Sequence, residues 1–88
     1  MDFEEIWRKI IKHQNEVFYT RRKLELKYRI VGDTLYHNRT APGIHKSDFK
    51  RAYEKFPIKN PSEIKDLVRG SAYIFAILND KRISELNK

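Results

Sequence analysis

The residues best equipped for acid–base or metal chemistry are three histidines, His13, His37 and His45. None is spaced from another like a local metal pair, and no HExxH or clustered Asp/Glu pattern accompanies them, so a metal site is not expected. The chain has no cysteine, which removes thiol nucleophiles, disulfide scaffolds and Cys-rich zinc sites together. Metal-independent RNA cleavage needs only a base, an acid and cations near the phosphate, and His37 or His45 with Tyr36, Arg39 and Lys46 could supply them. Proton transfer also requires a positioned partner, and each histidine has a plainer reading. His13 is a boundary residue of the first helix, His37 lies near the rim of a sheet face where Tyr28 is a hydrogen-bond partner, and His45 sits in a loop ahead of a basic helix. Glu25-Leu26-Lys27 contains the E-x-K fragment of metal-dependent nucleases, but no aspartate falls between Phe3 and Gly32 to complete such a site. Gly32, Gly43 and Gly70 are isolated, so the chain has no phosphate-cradling loop or nucleotide fingerprint, and no cofactor is expected.

Binding without chemistry has stronger support. Nineteen Lys and Arg stand against twelve Asp and Glu, a net charge of +7. Residues 17–31 hold five bases and one acid, and residues 46–60 hold five bases and two acids, so these two stretches account for the whole excess. A surface that attracts polyanions is therefore expected to be built from them. Arg21, Arg22 and Lys23 form a basic hairpin tip; Lys27, Arg29, Tyr36 and Tyr19 interleave cations with aromatics on one strand face, as stacking platforms for unpaired bases do. Lys46, Lys50, Arg51 and Lys55 lie on or just before a helix. The leading expectation is a non-enzymatic DNA- or RNA-binding module that contacts phosphates through these residues. Neutralising about six phosphates would give a log affinity against log salt slope of roughly −4 to −5. Two alternatives use the same charge: a protein-interaction module, such as a small inhibitor or accessory subunit aimed at an acidic protein surface, and a small ribonuclease using His37 or His45.

These residues are positioned by elements that the periodicity exposes. Asp2 caps a first helix with Glu5 three residues on, and Phe3, Ile6, Trp7 and Ile10 make its apolar stripe. Leu24 to Ile30 alternates apolar and polar without a break, and Gly32-Asp33 is a two-residue turn leading into a strand over 34–38. That turn pairs Val31 with Thr34, Ile30 with Leu35, Arg29 with Tyr36, Tyr28 with His37 and Lys27 with Asn38. Leu24, Leu26, Tyr28, Ile30, Leu35 and His37 then share the inner face; Glu25, Lys27, Arg29, Thr34, Tyr36 and Asn38 share the outer. A three-residue loop at Arg21-Arg22-Lys23 pairs Thr20 with Leu24 and turns Phe18 inward with Tyr19 outside, while a two-residue loop reverses the two aromatics; Phe18 inside is preferred, because its ring has no polar handle. After a loop at Ala41-Pro42-Gly43, Ser47 is the expected cap of a second helix with the stripe Phe49, Ala52, Tyr53 and Phe56, ended by Pro57. Asn60-Pro61-Ser62-Glu63 reads as the start of a further helix that turns Ile64, Leu67 and Val68 inward until Gly70. Residues 72–78 are apolar on all sides and read as a buried helix, with a buried strand as the alternative. A weak helical pattern continues through Ile83 and Leu86.

The expected class is α+β: an N-terminal helix, a three-stranded antiparallel meander, then two to four helices covering one sheet face. Eighty-eight residues suit one domain over 1–88, and no apolar run is long enough for a membrane span, so a soluble, cytoplasmic protein is expected. Over residues 2–56 the order of helix, three strands and helix resembles the topology of double-stranded RNA-binding domains and of some small toxin ribonucleases. Gly43-Ile44-His45-Lys46 is similar to the basic helix start of the former. Their lysine pair and alanine-rich helix are absent here, and no family follows from topology alone.

Overall fold

The computed structural model describes residues 2–39 and 43–84. Helix α1 (Phe3–Lys12) starts where the Asp2 carboxylate accepts the Glu5 amide at 3.0 Å and ends at His13; Phe3, Ile6, Trp7 and Ile10 are buried, as their spacing requires. Strands β1 (Val17–Tyr19), β2 (Glu25–Val31), β3 (Thr34–His37) and β4 (Ile44–His45) form one antiparallel sheet in that order.

Both hairpins adopt the expected registers. Phe18 lies opposite Leu26 and Tyr19 opposite Glu25. The three-residue loop closes through the Thr20 amide donating to the Leu24 carbonyl at 3.0 Å, and Lys23 takes the left-handed conformation that such a loop demands, with φ +67°. Gly32 supplies φ +61° at the second turn, where Val31 pairs with Thr34, Ile30 with Leu35, Arg29 with Tyr36 and Tyr28 with His37. Beyond the last pair, the Asn38 amide donates to the Lys27 carbonyl and the Asn38 side chain accepts the Lys27 amide, extending the ladder by one step.

Four departures from the sequence expectation have local causes. The meander gains a fourth strand: Ile44 pairs with Leu35, and His45 with Thr34. Gly43 allows this approach, because a Cβ there would stand 2.8 Å from the Leu35 carbonyl oxygen and 2.7 Å from Thr34 Cγ2. Helix α2 (Lys46–Tyr53) is capped by His45 and not by Ser47; the imidazole Nδ1 accepts the Ser47 amide at 3.0 Å. The Asn60 capping box does form, yet it opens only a single 3₁₀ turn, Pro61–Ile64, after which the chain turns irregularly. Ile64 and Val68 are buried, but Leu67 is 38% exposed because no helix carries it inward. Leu24 belongs to the inner face by alternation and is nonetheless 43% exposed, since it lies at the end of the sheet on the wall of an open groove with Pro61, Ala72 and Tyr73.

Helix α3 (Ser71–Leu78) follows Gly70, whose φ of +74° reverses the chain, and buries Ile74 through Leu78. The three helices share one core with the inner sheet face: Trp7 meets Phe49 at 5.6 Å, Phe3 meets Tyr53 at 5.8 Å, and Phe56 meets Phe75 at 6.2 Å between ring centroids. The Tyr28 hydroxyl crosses that core to donate to the Ile10 carbonyl at 2.6 Å, so it is not held by His37. A turn over residues 80–83 buries Ile83 instead of continuing as helix; Leu86 lies outside the described residues, as do Ala41 and Pro42 of the expected loop. No helix among the described residues is long and apolar enough to cross a membrane.

Candidate nucleic-acid interface

With the helices on the inner face, the pleat turns Glu25, Lys27, Arg29 and Val31 of β2 outward, and all four are exposed. Tyr19 joins them from β1 and Tyr36 from β3, 56% and 43% exposed. The rows across the outer face are therefore Tyr19 beside Glu25, Val17 beside Lys27, Arg29 beside Tyr36, and Val31 beside Thr34 and His45. The Arg29 guanidinium carbon lies 5.8 Å from the centre of the Tyr36 ring, a cation–π approach. Gly43 lies against the edge of the ring at Cδ1: a Cβ there would come within 2.9 Å of that atom, so a larger residue would displace the tyrosine.

A groove of about 550 Å³ runs over this face, lined by Asn15, Glu25, Lys27, Arg29, Tyr36 and Asn38 among others. Asn15 reaches it through a left-handed backbone conformation, φ +69°, secured by its amide donating to the Tyr28 carbonyl at 2.7 Å. Arg39 swings back from the end of β3 to donate from Nη1 to the Glu25 carbonyl at 3.4 Å, which adds a third guanidinium or ammonium group to the region. Among the described residues no carboxylate forms an ion pair with Lys27, Arg29 or Arg39. Glu25 is the acidic residue that lines the groove. Asn15 was not legible as a site residue, since its placement depends on the chain reversal before β1, and Arg39, named in the sequence only as a cation for RNA cleavage, joins the sheet face through its reach back to Glu25.

The other expected contacts fall elsewhere. Arg21 and Arg22 border a second groove of about 570 Å³ with Leu24, Pro61, Ala72 and Tyr73, on the helix side of the hairpin tip, and Lys23 is exposed beside them. Lys46 is joined to Glu4 of α1 at 3.1 Å and lies 5.8 Å from the Trp7 ring centre; its backbone amide donates to Asp33, at the end of the sheet opposite the tip. Arg51 is paired with Asp48 on its own helix. Lys50 and Lys55 are exposed on or just past α2, in the helical layer rather than on the outer sheet face. The cations of the meander and of α2 thus do not share one groove: Lys27, Arg29 and Tyr36 come together, whereas Arg51 lines a separate groove with Gly43, His45 and Arg69.

The three histidines each make contacts that join elements of the fold. His13 ends α1 and meets Glu16 at 3.0 Å, and Glu16 in turn meets Arg82 at 3.1 Å. Arg82 also holds Asp80 at 2.9 Å, donates to the Val17 carbonyl at 2.9 Å and lies 3.8 Å over the Phe18 ring, so the chain after α3 is fastened to the edge of β1. His37 points inward, its ring 4.4 Å from that of Tyr73 and its Nδ1 accepting the Arg39 amide at 3.2 Å. His45 points outward from β4 while capping α2. His37 and His45 thus lie on opposite faces of the sheet. Among the described residues no group of three His, Asp or Glu could hold a metal ion.

Burial, and then the charge of Arg39, holds the His37 imidazole below its ordinary 6.5. The unfolded chain therefore binds this proton more readily than the folded one, and acid favours unfolding. Its contribution is complete above pH 6.5 and is lost as the pH falls through that value toward the folded pKa. Asp80, raised by burial but brought low by hydrogen bonds from Arg82, and Glu16, lowered first by its hydrogen bond with His13, lose theirs only in the more acid carboxylate range. Urea midpoints measured between neutrality and pH 5 are expected to fall for the native protein, and to fall less for His37→Phe, which keeps a ring against Tyr73.

Comparison of the chain with protein-family models, with curated proteins and with solved structures finds no match.

Proposed function

We propose that the protein is a non-enzymatic nucleic-acid-binding module whose contact surface is the outer face of the sheet. Lys27, Arg29 and Arg39 meet phosphates, and Tyr36 with Tyr19 presents ring surface beside them. The observation that carries this reading is the groove in which Lys27, Arg29 and Tyr36 converge on a sheet face that no described element covers. An ordinary solvated face also bears Lys, Thr and Tyr. Here, in addition, a guanidinium stacks toward an exposed ring, and a glycine makes space for that ring. Three phosphate contacts by these cations, on single strands, correspond to a salt slope of about −2. Titration of a labelled oligonucleotide at several salt concentrations measures it.

The groove beside Arg21 and Arg22 supports a second reading, contact with an acidic protein surface: it combines two guanidinium groups with exposed Leu24 and the side of Tyr73. A stoichiometric protein complex that persists after nuclease treatment and is lost on replacing Arg21 and Arg22 distinguishes it.

A further inference from the structure

Phosphate contacts alone do not distinguish paired from unpaired strands; the placement of the tyrosines does. Resting on the nucleic-acid reading above, we infer that the outer sheet face selects unpaired strands, stacking one base on Tyr36 and another on Tyr19 with the intervening backbone over Lys27. Tyr19 is opposite Glu25, and Tyr36 is opposite Arg29, four residues further along β2 and on its other side. With about 3.4 Å per residue and about 4.8 Å between strands, the two tyrosine positions lie about 17 Å apart on a diagonal. The midpoint of that diagonal is Lys27, which faces outward and is exposed. Aromatic, cation and aromatic are thus in line across three strands.

Each part of this line suits a flexible, unpaired chain. In a duplex the base faces are covered by their neighbours in the stack, so a flat sheet meets only phosphates, whereas an unpaired base presents a free face to a tyrosine. Arg29 occupies one side of the Tyr36 environment and favours an electron-rich base or a phosphate next to the ring. Glu25 beside Tyr19 and the Arg39 guanidinium, which donates to the Glu25 carbonyl, put one charge of each sign at that end of the line, so the exposed Tyr19 ring is the feature there that favours a base. Asn15 and Asn38 at the groove wall offer amide groups, of which the Asn38 oxygen is already engaged with the Lys27 amide.

The test compares a labelled single strand of about 12 nucleotides with the duplex of the same sequence by fluorescence anisotropy at low salt. The single strand is expected to bind about tenfold or more tightly than the duplex, and Tyr19→Ala and Tyr36→Ala each to weaken single-strand binding roughly tenfold. Tyr→Phe at either position retains it, and duplex affinity is unchanged within about twofold in all four variants. Glu25→Gln strengthens binding of both. Both tyrosines are exposed, so thermal melts of the variants should match the native protein, which separates loss of stacking from loss of fold. Equal affinity for the two probes, or an equal loss on both in the alanine variants, overturns the inference while leaving the phosphate reading in place; no binding of either probe removes both.

Discussion

Phe18→Ala is expected to remove a large share of the protein's stability, about 3–5 kcal/mol. Phe18 is fully buried, its ring centre 5.4 Å from that of Tyr28 and its face 3.8 Å beneath the Arg82 guanidinium. Truncating a buried phenylalanine costs about 3–5 kcal/mol in lost transfer energy and residual cavity. A chain of this length has roughly 4–13 kcal/mol in all, so the substitution removes a large share and at the lower end the whole. It also takes away the surface on which Arg82 rests, while Arg82 keeps Asp80, Glu16 and the Val17 carbonyl. The measurement is the urea midpoint by circular dichroism, expected to fall steeply with no change of slope where a transition remains visible. Tyr19→Ala, one residue away on the exposed face, should shift it by no more than about 0.5 kcal/mol. That contrast follows from the two-residue period of β1, and a comparable loss at Tyr19 would mean that its face is covered.

Removing the three outer-face cations in a Lys27→Ala, Arg29→Ala, Arg39→Ala variant is expected to reduce single-strand affinity about 100-fold. Each phosphate contact on a single strand contributes a salt slope of about −0.7, which at about 0.1 M salt is worth roughly fivefold in affinity. Three such contacts multiply to the stated loss, and the remaining slope should approach zero. A Lys50→Ala, Lys55→Ala variant is the matched control. It also removes positive charge, but from the helical layer, so only long-range attraction changes and affinity should stay within about two- to threefold. Equal losses per charge in the two variants would show that net charge, rather than the outer face, governs binding.

Which parts of this architecture could be read from the chain depends on how each is encoded. The hairpin register was legible because Leu24 to Ile30 alternates strictly and Gly32-Asp33 fixes the loop length, so Lys27, Arg29 and Tyr36 could be assigned to one face. Helix α1 was legible through its cap and stripe. Strand β4 was not, because two residues carry no period; its signals are the apolar match of Ile44 to Leu35 and the room left by Gly43, both of which depend on tertiary approach. The Asn60 box specifies where a helix begins and nothing about how far it runs. His45 outcompeted Ser47 as a cap because its imidazole nitrogen, one residue before the helix, reaches the Ser47 amide directly. Arg82 joins residues more than sixty positions away, a link no local pattern contains. Charge counting placed Lys46, Lys50, Arg51 and Lys55 with the meander because it has no knowledge of layers. In the folded chain Lys46 and Arg51 have nearby carboxylates, and the others point from the helical side.

The central claim is that the uncovered sheet face is a polyanion site, and the most direct measurement is the affinity of a labelled single-stranded oligonucleotide at salt concentrations from about 50 to about 300 mM. Binding whose log Kd rises linearly with log salt at a slope of about 2, and which loses that slope in the Lys27, Arg29 and Arg39 triple variant, is the predicted result. An affinity that ignores salt, or a triple variant whose slope equals that of the native protein, would contradict it.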